Sequence, residues 1–231
     1  MALPKRAFVI FAKAPIPGTV KTRLCPPLSP EEATALHSSF VLDAIERTKK
    51  SLGKLKVDRF VACTPSIEHP FFTALRSHHG VQLLQQHGKD LGQRMAGVMK
   101  ELLDCNYSSV VIVGCDLPTL PVGEIARAFE LLDEHDCVLG PCPDGGYYLV
   151  GLRYLYAALF SDIPWGTSTV LHLTKEKAVA LQLKIGFTAA WSDVDTPDDL
   201  RALINEKNKN SLSQRTAKLL QTLSSQLKLE Y

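Results

Sequence analysis

Short apolar runs alternate along this chain with longer stretches of helical periodicity, and that alternation narrows the fold more than any other feature. The runs 7–12, 58–63, 81–85, 109–114, 136–141, 147–152 and 185–190 read as strands. Several are apolar throughout, as expected of strands covered on both faces. Helical patterns lie between them. Ser29-Pro30-Glu31-Glu32 supplies an N-cap, a proline at the first helical position and a carboxylate three residues after the cap. The helix it opens carries Ala33, Leu36, Phe40 and Ile45 on one face. Further helices are expected over 91–103, from Pro121, from Thr167-Ser168 and from Thr196-Pro197-Asp198-Asp199. Strands alternating with helices imply an α/β chain: one three-layer α/β/α domain over 1–206 around a mostly parallel mixed sheet. Residues 207–213 read as a polar linker. Leu212, Leu219, Leu220, Leu223 and Leu227 then mark an amphipathic helix in the tail, 207–231, with a stripe that suits the domain itself or a second copy of the chain.

The net charge of +2 over 231 residues gives no basic field for nucleic acid or an anionic membrane. Lys5 and Arg6 precede an apolar run shorter than the core of a signal peptide, and no stretch approaches ~20 apolar residues, so a cytoplasmic location is expected. The six cysteines show no CxxC spacing and read as reduced thiols. The seven histidines form no HExxH and have no CxxC partner, so a zinc site is not expected.

The first strand leads into Lys13-Ala14-Pro15-Ile16-Pro17-Gly18-Thr19-Val20-Lys21-Thr22-Arg23-Leu24. In open α/β sheets ligands sit at the carboxyl ends of strands. Lys13, Lys21 and Arg23 around a proline-stiffened turn suit a polyphosphate, which Arg can grip with two hydrogen bonds. Neither a Walker loop nor GxGxxG is present. Asp116, in Gly114-Cys115-Asp116-Leu117-Pro118, falls just past the end of a central strand, where a carboxylate can hold Mg²⁺. Asp195, in Asp193-Val194-Asp195-Thr196, offers a second carboxylate. Asp198 and Asp199 fit the first turn of a helix as dipole partners. Asp144-Gly145-Gly146-Tyr147 by itself reads as a hairpin turn; lying between Asp116 and Asp195, it is also a candidate wall for an acceptor. His78-His79 reads as a surface loop.

Four segments together resemble the DUF2064 family over about residues 7 to 205: Phe11–Pro15 with Lys21–Leu24, Asp90–Met95, Gly114–Pro118, and Gly140–Leu149 with Asp193–Thr196. That family is similar in turn to the 2-phospho-L-lactate guanylyltransferases and molybdenum-cofactor guanylyltransferases. The resemblance implies the GT-A, or nucleotide-diphospho-sugar transferase, fold and a transferase dependent on Mg²⁺ or Mn²⁺. It places Lys13, Gly18, Lys21, Thr22 and Arg23 on the phosphates, Gly92 and Arg94 by the base, and Asp116 with Asp195 on the metal. Asp144, Gly145, Gly146 and Tyr147 would line the acceptor. Nucleotidyl transfer from a nucleoside triphosphate to a small phosphorylated or acidic acceptor is the first reading, because three loop cations match a triphosphate. Glycosyl transfer from a nucleotide-sugar is the second, and a non-catalytic nucleotide-binding protein the third. Because every motif lies upstream, the tail is expected to be dispensable for nucleotide binding.

Overall fold

The computed structural model describes residues 5–54, 56–205 and 212–226. In chain order the strands and helices are β1 (Arg6–Lys13), α1 (Pro30–Lys54), β2 (Val57–Thr64), α2 (Pro70–His79), β3 (Gln82–Gln85), α3 (Leu91–Asp104), β4 (Ser109–Gly114) and α4 (Val122–Leu131). There follow β5 (Cys137–Pro141), β6 (Tyr147–Leu152), α5 (Val170–Ala180), β7 (Ile185–Phe187), α6 (Pro197–Asn205) and α7 (Gln214–Gln226). The strands form one seven-stranded sheet in the order β3-β2-β1-β4-β6-β5-β7. All pairings are parallel except those of β6, which runs antiparallel to both β4 and β5. The sheet is therefore mixed and mostly parallel.

Alternate residues of each central strand feed two cores. Phe8, Ile10, Val111 and Val113 face α1, α2 and α4, whereas Ala7, Val9, Val110 and Ile112 face α3 and α5. Burial on both faces is why these strands are apolar throughout. The Ser29 capping box forms as its spacing suggests: Ser29 N donates to Glu32 Oε2, and Glu32 N donates to Ser29 Oγ.

α2 is the helix that the sequence reading leaves out. His69 accepts from Phe71 N at its start, Pro70 occupies the first turn, and Gly80 ends it in the left-handed region at φ 61°. His78 and His79 thus close a helix rather than sit in a loop, His78 exposed and His79 half-buried. Residues 207–211 of the expected linker lie outside the described residues, as does Leu227. α7 packs on its own domain. Leu220 and Leu223 join Leu36 and Phe40 of α1, Leu200 and Leu203 of α6, and Leu24 from the loop after β1.

Candidate functional site

The carboxyl ends of β1 and β4 lie side by side at the point where the chain crosses from one half of the sheet to the other. β5 runs parallel to β4 through its shared neighbour, so the turn 142–146 and the start of β6 reach the same end. The segment 191–195 is laced across this end by backbone bonds: Trp191 N donates to Pro141 O, and Val194 N to Asp116 O. Arg47 holds the Asp116 loop from below, donating to the carbonyls of Leu117, Pro118 and Leu120.

Two adjoining cavities open here. The outer one, about 370 Å³, is walled by Lys13, Thr22, Thr64, Gln86 and Arg94, with His37 and Cys115 on its floor. The inner one, about 300 Å³, has Asp144, Gly146, Tyr147, Trp165 and Asp193 in its wall. They share Phe11, Arg23, Leu91, Gly114, Asp116 and Asp195. The expected residues therefore separate into two adjacent spaces that meet at the two carboxylates and one arginine.

Lys21 lines the outer cavity, where its ammonium is engaged by two carboxylates. It stands in the left-handed region at φ 49°, ψ 35°, and its side chain is buried. Nζ lies 2.8 Å from Asp116 Oδ2 and 3.8 Å from Asp195 Oδ1, and it donates to Val194 O at 2.6 Å. Burial, the largest single influence, works against its charge, but Asp116 together with Cys115 and Asp195 outweighs it and raises the Lys21 pKa. The reciprocal effect of Lys21 and His37 pulls Asp116 well below the usual carboxylate range, against its own burial. Lys21 thus ties the first loop to both carboxylate-bearing segments, while Lys13 and Arg23 remain exposed. Arg23 Nη1 meets Asp195 Oδ2 at 2.7 Å.

Lys21→Met is expected to destabilise the chain by roughly 2–3 kcal/mol, below the ~3–5 kcal/mol of breaking a fully buried pair because Asp116 is partly solvated. Urea unfolding of both proteins measures it. A loss under about 0.5 kcal/mol would show that the pair holds nothing in place.

The glycines divide by role. Gly92 lies outside both cavity walls; a Cβ there would come within 2.5 Å of Phe160 O and 2.7 Å of the Trp165 ring, so it admits close packing of α3 rather than facing a base. Gly145, at φ 89°, also lies outside the walls, where a Cβ would meet Ser168 O at 2.0 Å. Gly18 is an exposed turn residue at φ 76°. Asp144 Oδ1 accepts from Gly146 N, so the hairpin reading and the cavity-wall reading hold together. Asp198 pairs with Arg201, and Asp199 Oδ2 accepts from Asp195 N, Thr196 N and Thr196 Oγ1, which makes both of them helix-end residues.

Sequence reasoning missed His37, and it read Asp193 only as the carboxylate that alternates with Asp195 on one face of an extended segment. His37 sits in α1, where its spacing looks like any core position. Its Nε2 donates to Lys13 O at 3.0 Å, and its Nδ1 lies 3.8 Å from Asp116 Oδ1. Asp193 faces the inner cavity. Burial, then the nearby Asp144, Asp195 and Asp116, push its carboxyl up to about 6 against the pull of Lys21. The folded chain therefore keeps a proton on Asp193 between about pH 4 and 6 that the unfolded chain has released, so this group's contribution to stability falls as pH rises through that window. Asp193→Asn is expected to raise Tm more at pH 7.5 than at pH 4.5. An equal gain at both pH values, by calorimetry, would contradict the crowding of carboxylates.

A model of a family described as an uncharacterized protein conserved in bacteria (DUF2064) matches residues 48–167, just over half of the chain. This chain belongs to the DUF2064 family. The 2-phospho-L-lactate guanylyltransferase of Methanothermobacter thermautotrophicus is 23% identical to this DUF2064 protein over 188 residues, 80% of this chain and 78% of that one. A Desulfovibrio desulfuricans G20 protein, named as a nucleotide-diphospho-sugar transferase, superposes with a TM-score of 0.85 over 95% of each chain at 32% identity. A cytidylyltransferase of Leptospira borgpetersenii superposes with a TM-score of 0.57 at 15% identity, covering 96% of this chain and 94% of that one, a likeness of fold alone. This DUF2064 protein has the nucleotide-diphospho-sugar transferase fold and is a transferase. Among the described residues, no helix is long and apolar enough to cross a membrane.

Proposed function

We propose that the protein is a Mg²⁺-dependent nucleotidyltransferase: a nucleoside triphosphate lies in the outer cavity, and an oxygen of a small acceptor in the inner one attacks its α-phosphorus, breaking the bond to the β-phosphate and releasing pyrophosphate. The observation that carries this reading is the shared wall, where Asp116, Asp195 and Arg23 stand between the two spaces. The donor oxygens are hard and carboxylate, which suits Mg²⁺, and the ammonium of Lys21 already lies beside both carboxylates, so the locus attracts a cation. When bound by Asp116 and Asp195, Mg²⁺ would neutralise the phosphates and the developing charge.

The chain's own residues do the rest by position. Lys13 and Arg23, both exposed at the outer cavity, neutralise phosphate oxygens. Thr22 and Arg94 line the same space, and Arg94 Nε donates to Gly88 O, which fixes its guanidinium beside it. Lys21 keeps Asp116 ionised and aimed at the junction. Asp144 and Asp193 leave the inner cavity acidic, so an anionic acceptor would be taken together with a cation, whereas hydroxyl groups would be accepted directly. That last property favours glycosyl transfer as the second reading, because Trp165 beside carboxylates suits a sugar ring.

A thermal-shift screen of nucleoside triphosphates against nucleotide-sugars, each with and without Mg²⁺, separates the readings. A ligand at a hundred times its Kd should stabilise the fold by ~2.7 kcal/mol. Stabilisation by a triphosphate only with Mg²⁺ is the expected result; a response confined to nucleotide-sugars would move the protein to the second reading.

A further inference from the structure

We propose that His37, Cys115 and Asp116 form a second cation site, for a soft or borderline divalent ion of the zinc class, on the floor of the outer cavity. Their atoms already form a compact triangle: Cys115 Sγ to His37 Nδ1 is 4.0 Å, Sγ to Asp116 Oδ1 is 3.4 Å, and Nδ1 to Oδ1 is 3.8 Å. The point equidistant from the three lies about 2.2 Å from each, inside the ~2.0–2.3 Å range of zinc bonds to nitrogen, oxygen and sulfur. A tetrahedral centre wants ligand separations of about 3.5 Å, so a contraction of a few tenths of an ångström completes it.

The surroundings are those of a ligand set. Lys13 O accepts from His37 Nε2, so that nitrogen carries a proton and the ring's metal-binding nitrogen is Nδ1, the one facing Cys115 and Asp116. Asp116 divides its oxygens, Oδ2 to Lys21 and Oδ1 to the triangle, so Lys21 does not occupy the proposed position. All three residues line the outer cavity, which leaves room for a solvent or ligand oxygen as the fourth donor. One thiolate and one imidazole select zinc-class ions over Mg²⁺, which takes oxygen.

Binding would release the Cys115 thiol proton and any proton on Nδ1 to solvent. On the proposed function, the ion would also compete with Mg²⁺ for Asp116, so zinc would inhibit rather than assist. No local spacing signals such a site, because its members are brought together from α1 and the end of β4.

Titration of the full chain with Co²⁺, followed by absorption, tests the site without reference to activity. The expected result is one Co²⁺ per chain with thiolate-to-cobalt charge transfer in the near ultraviolet, displaced by Zn²⁺. Cys115→Ser, nearly isosteric, should abolish that band; His37→Gln should weaken the affinity at least tenfold; Cys105→Ser, which removes an exposed thiol, should change nothing. Absence of a thiolate band in the wild type, or its survival in Cys115→Ser, would overturn the proposal.

Discussion

Ending the chain at Asn205 is expected to lower Tm by roughly 10 °C. α7 is 13 residues long and places Leu220 and Leu223, both nearly inaccessible, in the cluster that also holds Leu24, Leu36 and Phe40. Each buried leucine contributes ~1.5–3 kcal/mol, offset in part by the entropy of ordering the helix. A polar clamp reinforces them. Asp43, only 1% exposed, accepts from Ser213, Arg215 and Thr216, and Arg215 also meets Glu46. Truncation leaves that buried carboxylate without these three donors, which is costly by itself. A combined loss of roughly 3–5 kcal/mol corresponds to the stated shift at ~2–4 °C per kcal/mol for a chain of this size. The tail is therefore a structural part of the domain, and its leucine stripe is used within the chain. Because Leu24 lies three residues from Lys21, the loop behind the outer cavity should loosen as well. Melting followed by circular dichroism measures the effect; a truncated chain that melts with the full-length protein would show that the cluster closes without α7.

The strands were legible because burial on both faces leaves a mark that needs no partner to read. Runs 109–114 and 147–152 match β4 and β6 at both ends. The antiparallel direction of β6 also follows from the short Asp144-Gly145-Gly146 turn before it, since only a hairpin closes over so few residues. α2 was hidden because it is only ten residues long and its apolar stripe, Phe71, Phe72 and Leu75, covers little more than one turn. Among site residues, Asp116, Asp195, Arg23 and Lys13 could be placed from their strand-end and loop positions. The burial of Lys21 against the two carboxylates was not read from the loop, although Val20 and Leu24 on either side of it are buried and could have signalled an inward turn. His37 reaches the cavity only through the packing of α1 on the sheet, which no spacing records. Gly92 beside Arg94 suggests a ligand-facing glycine, yet it lies under Trp165, some 70 residues later in the chain.

Asp116→Asn is expected to weaken Mg²⁺-dependent nucleotide binding by roughly ten- to a hundredfold in affinity. The carboxylate belongs to both cavities, and its oxygens already meet Lys21 and face His37. Asparagine keeps the shape but removes the charge that a divalent ion needs, and a charge-assisted contact is worth roughly 1.5–3 kcal/mol. The substitution also leaves Lys21 buried with one partner fewer, so the apo protein should lose some stability as well. Calorimetric titration of the wild type and Asp116→Asn with nucleoside triphosphates, with and without Mg²⁺, is the most direct measurement. The expected result is tight binding by the wild type only with Mg²⁺, and binding roughly ten- to a hundredfold weaker by a folded Asp116→Asn. A folded Asp116→Asn that binds the Mg²⁺-nucleotide as tightly as the wild type would contradict the placement of the metal, and with it the junction of the two cavities as the seat of transfer.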